Sequence, residues 1–347
     1  MHLRPDHAVR DLPTLHAFIK QHPLGVLTTS LPSENHPTLQ CSHIPWVLDS
    51  ETTLEPAIAK EAKVADENTT SQPPPSMGAL RGHIARQNPQ SKAMVESALE
   101  FTKPIIIPGA FPITSPTEEP TISTGHTLPG EVLIVFTSPV DHYITPNFYT
   151  ESKPATGRVA PTWNYVTVQA YGQATIYHDT KDEQTELFLR QQLGDLAQLG
   201  EEGVMGFQDE TGSSSGSNVK HGGGGSGTGN RDGDPPYHQN LSQNQSPGPE
   251  ELHQGVKTVP TGANGHGNAS ALPKPWKITD APREYIAALL KNIVGMKIDI
   301  TRIEGRFKVS QERPINDRAG VVEGLKRKGG TARDMAEFVK RGQILPG

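Results

Sequence analysis

One cysteine, Cys41, stands among 347 residues. A single thiol excludes an intramolecular disulfide and any Cys-only zinc site, and it fits a reducing compartment. No apolar run reaches the roughly 20 residues needed to span a bilayer. The N-terminal stretch MHLRPDHAVRDL lacks the apolar core of a signal peptide. The expectation is a soluble, cytoplasmic protein, with the nucleus as the alternative. Charge of one sign is also missing: 32 Lys and Arg against 38 Asp and Glu leave a net −6, which gives no whole-chain reason to expect nucleic-acid binding. There is no P-loop, no HExxH and no cysteine pair, and the fourteen histidines are scattered.

What the chain holds in excess is glycine and proline, 34 and 31 residues, with only 33% hydrophobic residues. Much of it therefore belongs to no packed core. The clearest break is 203–272, which contains 16 glycines; between Gln208 and Glu251 its only sizeable apolar residues are Val219, Tyr237 and Leu241. Such a segment cannot bury enough surface to offset its chain entropy, so it reads as a disordered insertion. Gly212–Gly216 matches a nucleophile elbow and Gly222–Gly227 matches G-x-G-x-x-G. Both lie in this segment without the strand and helix that the chemistry requires, so both are set aside. Residues 55–77, ending in Pro73-Pro74-Pro75, and 104–129, rich in Pro, Thr and Ser, read as smaller insertions. What remains (about 1–54, 78–103, 130–202 and 273–330) suits one mainly β, α+β domain, followed by a basic tail over 326–347.

Asp11 caps an expected helix whose Leu12, Leu15, Phe18 and Ile19 share a face. Strands are expected at Leu24–Ser30, Leu39–Leu48, Ala79–Arg86, Val132–Thr137, Tyr165–Tyr177, Lys297–Ile303 and Phe307–Ser310. The run VLIVFT at 132–137 reads as a strand buried on both faces. Helices are expected after Asn88-Pro89, over about 181–199 and 281–293, and from about Asp317. Many strands and few helices favour closure into a barrel.

The candidate chemistry lies in polar residues inside strands. Ser42 and His43 interrupt an apolar strand; they are either a satisfied core pair or residues facing a ligand. Arg81 and His83 share a strand face at i and i+2. They form either a solvated surface or an anion site, with Gly82 between them leaving room for a ligand at the backbone. Two turns, YITPNFY at 143–149 and PTWNY at 161–165, are rich in aromatics and amides. They either stack on a planar ring or close a barrel rim or dimer interface. Residues 326–341 carry a net +4; they either touch nucleic acid or form a solvated, fraying tail, and the second is the simpler reading. No helix–turn–helix pattern is evident.

LGVLTTS, SHIPWVLD, LRGHIARQNP, GEVLIVF, DHYITPNFY, GRVAPTWNY, PWKITDAP, IVGMKIDITRIEGRFKVSQ and DRAGVVEGL occur in this order. Together they resemble the PaiB-type FMN-binding negative transcriptional regulators, in a eukaryotic version whose insertions fall between the motifs. The resemblance implies a split β-barrel of the FMN-binding or pyridoxamine-phosphate-oxidase type with peripheral helices. It also implies a homodimer with FMN in a groove between subunits. Ser42, Arg81, Tyr143, Thr145, Thr162, Trp163, Asn164 and Tyr165 become the cofactor-binding candidates, Arg81 for the phosphate, and His43 and His83 the catalytic ones. The implied role is a flavin-linked regulator; the alternatives are a flavin-dependent oxidoreductase on a small molecule, or a haem-binding split barrel with His43 or His83 on the iron. Three positions depart from the family pattern: Thr156-Gly157-Arg158, Gln169 and Glu312, where the last puts an acid in place of an amide.

Overall fold

The computed structural model describes residues 1–50, 76–101, 125–208 and 274–342. Met1–Gly206 with Pro275–Gly347 makes one compact unit. Phe207–Lys274 is a second, all but three residues of which lie outside the described residues. So do most of the three expected insertions and the end of the chain. The ends that are described correct two boundaries: His126–Pro129 already belongs to a strand, and an irregular helical turn carries on through Val204.

Nine strands and seven α-helices occur among the described residues. In chain order they are β1 (Ala8–Val9), α1 (Leu12–Gln21), β2 (Leu24–Ser30), β3 (Leu39–Pro45), β4 (Val47–Asp49), β5 (Ala79–Ala85) and α2 (Pro89–Phe101). Then follow β6 (His126–Thr137), β7 (His142–Ile144), α3 (Ser152–Thr156), β8 (Thr162–Tyr177), α4 (Glu183–Gln198), α5 (Arg283–Lys291), β9 (Ile293–Lys308), α6 (Ile315–Lys328) and α7 (Ala332–Arg341). No helix among the described residues is long and apolar enough to cross a membrane.

The antiparallel sheet runs β3-β2-β6-β8-β9-β5-β4. Its first and last members are the two halves of one segment, bent at Trp46, so the sheet closes on itself as a barrel. The single strand expected over 39–48 is thus two, because its halves serve different neighbours. The Trp46 indole is 1% exposed and fills the barrel beside Gly82, where a Cβ would meet its ring at 2.9 Å. Gly82 therefore makes room for a tryptophan rather than for a ligand. The expected strands 297–303 and 307–310 merge into one 16-residue strand that ends at Lys308, with a bulge opposite Tyr171/Gly172. Gly305 continues this strand instead of turning it, because Leu15 of α1 packs where its side chain would stand.

The core follows the strand period. Val166, Val168, Ala170, Ala174 and Ile176 of β8 are buried, while Tyr165, Gln169, Tyr171 and Tyr177 are not fully so. In β6, Val132, Ile134 and Phe136 are buried, but Leu133 and Val135 are only half-buried. The expectation of burial on both faces fails there, and a strip of apolar outer face remains. Across the sheet that strip continues into Val26 of β2, with exposed Leu24 two residues before it on the same face.

The C-terminal stretch is no fraying tail. Met335, Ala336 and Val339 are fully buried against the rest of the core, with the basic residues on the exposed side. The buried Asp317 carboxylate ties α6 to the loop after β7, accepting from the Glu151 and Ser152 amides at 2.8 and 3.1 Å and from the Ser152 hydroxyl.

Candidate functional site

The expected site residues fall into three groups. Arg81 and His83 project from the outer face of β5 towards α4. The Arg81 guanidinium is bidentate to Asp49, Nε to Oδ2 at 2.7 Å and Nη2 to Oδ1 at 2.8 Å, while Nη1 donates to Asp195 at 2.7 Å. These two carboxylates raise its already high pKa further. His83 Nδ1 donates to Gln192 Oε1 at 2.6 Å, and burial lowers its pKa, with Gln192 working in the other direction. Asp195 and Gln192 lie three apart on α4, on one helical face. The cluster fastens helix to sheet and already holds two carboxylates against one guanidinium, so an added phosphate would meet excess negative charge.

Ser42 and His43 lie on β3. Ser42 Oγ accepts from Asn88 Nδ2 at 3.1 Å. His43 is exposed on the outer face with Leu39 and Cys41, so it is not the carbonyl-satisfied core histidine that one reading of the sequence allowed. No group of three or more metal-ligating side chains occurs among the described residues.

The third group gathers where β7, β8 and β9 meet. Tyr143 pairs directly with Trp163 across β7–β8, and their rings meet edge to face at 6.2 Å. Both are substantially exposed, 43% and 53%. Tyr165 follows Trp163 on the same side and pairs directly with Lys308. Thr145 caps the turn at 146–148 by accepting from the Asn147 amide. Asn164 is fully buried and exchanges hydrogen bonds with Ser310, 2.9 Å one way and 3.3 Å the other. Ser310 has φ 62, a left-handed conformation that a serine adopts only when its surroundings enforce it.

Residues that the sequence reading missed complete this end. The Lys308 ammonium donates to Thr162 Oγ1. Arg306, two residues earlier, lies over the Tyr165 ring at 5.7 Å and donates from Nη1 to the His2 carbonyl, while its Nε is buried without a hydrogen-bond partner. Neither cation has a carboxylate within 4 Å among the described residues. Burial lowers the Lys308 pKa, and Arg306, Arg313 and Arg4 lower it further against the attraction of Glu312. Glu312 itself is engaged elsewhere: its Oε2 accepts from His7 Nε2 at 3.1 Å, and its Oε1 lies 3.5 Å from Arg313 Nε. Burial pushes its carboxyl up, but its own backbone amide, His7 and Arg313 outweigh this and hold it below the ordinary value. No local pattern marks this cluster: Arg306 falls between the two strands expected at 297–303 and 307–310.

Arg81 pairs with Lys297, and Tyr165 with Lys308, on the same strand β9. Eleven positions separate them along β9, a contour of about 36 Å at 3.3 Å per residue that the bulge and the curve of the barrel shorten. A single mononucleotide on one chain cannot touch both groups. The β7–β8–β9 end offers exposed rings for stacking, amide and hydroxyl groups, and an orphaned guanidinium nitrogen; these suit a planar heterocycle with an anionic tail.

A family model described as "Putative FMN-binding domain" matches residues 1–211 and 252–302. An uncharacterized protein of Aspergillus fumigatus is 38% identical over 329 residues, 95% of this chain and 92% of that protein. An uncharacterized protein of Emericella nidulans is 33% identical over 346 residues, 99% of this chain and 98% of that one. Among solved structures, the flavocytochrome Anf3 of Azotobacter vinelandii aligns over 88% of this chain and 72% of its own. Its TM-score is 0.34 and its identity 8%, too distant to place any residue.

Proposed function

The chain belongs to this FMN-binding domain family, and from that premise we propose that it is a homodimeric FMN-binding split-barrel protein acting as a flavin-linked regulator. The observation that carries the reading is the exposed Tyr143–Trp163 pair, continued by Tyr165, beside Thr145, Thr162 and buried Asn164. The rings offer faces to an isoalloxazine, and the amide and hydroxyls offer directional hydrogen bonds to its polar edge. A bound flavin supplies hydride and electron transfer; the side chains orient it and exclude water.

Dimer formation is supported by the half-buried Val26, Leu133 and Val135 with exposed Leu24, an apolar strip of the sheet face that a second copy would cover. A regulatory role has one structural support. Helices α6 and α7 are joined by only Gly329-Gly330-Thr331 and expose Arg327, Lys328, Arg333, Lys340 and Arg341, a basic surface with no recognisable DNA-reading motif. A flavin-dependent oxidoreductase is the second reading. It is favoured by His43, whose imidazole is exposed on the outer face of β3, whereas His83 is sequestered by Gln192.

The test is an absorbance spectrum of the purified protein, followed by FMN and haemin titrations and sedimentation. Saturable FMN binding at one site per subunit in a dimer is expected. Binding to haemin alone, or to neither, refutes the proposal. Consumption of NAD(P)H with an acceptor would select the enzyme reading. DNA binding abolished by charge reversal at Arg333 and Lys340 would select direct regulation. Truncation is unsuitable for that purpose, because removing 326–347 strips Met335 and Val339 from the core.

A further inference from the structure

We infer that Lys308 and Arg306 are the seat of the flavin phosphate, and that they make this chain select FMN over riboflavin. The inference rests on the flavin reading above and names the part of the ligand that the sequence assigned to Arg81. Arg81 is unsuited to it, since its donors are shared between Asp49 and Asp195.

The two cations alternate on one strand, so their side chains leave β9 on the same side about 7 Å apart along the chain. Both are half-buried, and neither has a carboxylate within ion-pair distance among the described residues. Like charges held this close and partly desolvated repel each other, and a dianion between them relieves that cost. The Arg306 Nε is already a buried donor without an acceptor, and a phosphate oxygen is the partner that a guanidinium fits best. Thr162 Oγ1, against the Lys308 ammonium, adds a hydroxyl within the same cluster. The ring platform lies next door, because Tyr165 is the direct cross-strand partner of Lys308 and lies under Arg306. Stacked ring and anchored phosphate thus occupy one continuous face. The nearby acid does not spoil it, since Glu312 is bound to His7 and faces Arg313.

The experiment compares FMN and riboflavin by quenching of flavin fluorescence in the full-length protein, for the natural chain, Lys308→Gln and Arg306→Gln, with inorganic phosphate as competitor. The natural chain should bind FMN more tightly than riboflavin by about ten- to a hundredfold. Each substitution should remove most of that ratio, lowering FMN affinity far more than riboflavin affinity, and inorganic phosphate should compete with FMN but not with riboflavin. Thermal melting identifies any variant that fails to fold, and the other variant then decides. Equal affinity of the natural chain for both flavins overturns the phosphate seat and leaves the flavin reading standing. A ratio retained in both variants overturns it as well and moves the phosphate elsewhere. Binding of neither flavin by the natural chain overturns both.

Discussion

Replacing Arg81 separates a structural guanidinium from a ligand-binding one. In Arg81→Gln the side chain loses three charge-assisted hydrogen bonds of 2.7–2.8 Å, two to Asp49 and one to Asp195. Breaking a fully buried ion pair costs about 3–5 kcal/mol, but both carboxylates are about one-third exposed, 36% and 35%. Water can therefore solvate them once the arginine is gone, and the expected loss falls to about 2 kcal/mol. For a folded unit of this size that is a melting temperature lower by about 4–8 °C. The assay is thermal unfolding by circular dichroism, with FMN titration of the folded protein in parallel. Stability should fall while FMN affinity stays within about twofold. The coupling should be confirmed by a cycle with Asp195→Asn, in which the double variant loses less than the sum of the single ones. A melting temperature within 1 °C of the natural chain, combined with lost FMN affinity, would refute the reasoning and return the phosphate to Arg81.

Other outcomes follow from single contacts. Gly82→Ala drives a methyl into the Trp46 ring and should cost about 1–3 kcal/mol in urea unfolding without changing flavin affinity. The Asp317 carboxyl is held below its ordinary value, because Ser152 and the backbone amides outweigh burial. Its contribution is present above the unfolded value near 3.9 and is lost as pH falls through the lower native one. Asp317→Asn should therefore flatten acid unfolding below about pH 4, besides costing about 1–3 kcal/mol at neutrality. Burial lowers His83, so the native state disfavours its proton, and stability should be lost as pH falls below about 6.5. His83→Gln should remove that part of the slope between pH 7 and 5.5 in urea titrations. Leu133→Arg places a charge on the apolar outer face of β6 and should shift sedimentation from dimer to monomer; a dimer that survives would move the interface elsewhere.

The sequence by itself determined the local elements and the family. The apolar alternation of Val166–Ile176, the Asp11 cap, whose Oδ2 accepts from the Thr14 amide at 2.9 Å, and the aromatic turns at 143–149 and 161–165 depend on short spacings that periodicity reports directly. The order of the motifs carried the FMN-binding family, and with it the split barrel. Tertiary structure alone decided everything that depends on which strands meet. A strand bent at Trp46 closes the sheet, and Gly82 answers to an indole from a neighbouring stave. The VLIVFT run is apolar on its outer face as well, although nothing within the described chain fully covers that face. The same limit governed the site. Arg81 looked like the free cation because Asp49 and Asp195, 32 and 114 residues away, leave no trace in the local pattern. Lys308 and Arg306 carry no local mark, because their lack of carboxylate partners is a property of the folded surface. A charge's role depends on what is folded against it, and that is set by contacts too distant in sequence for spacing to reveal.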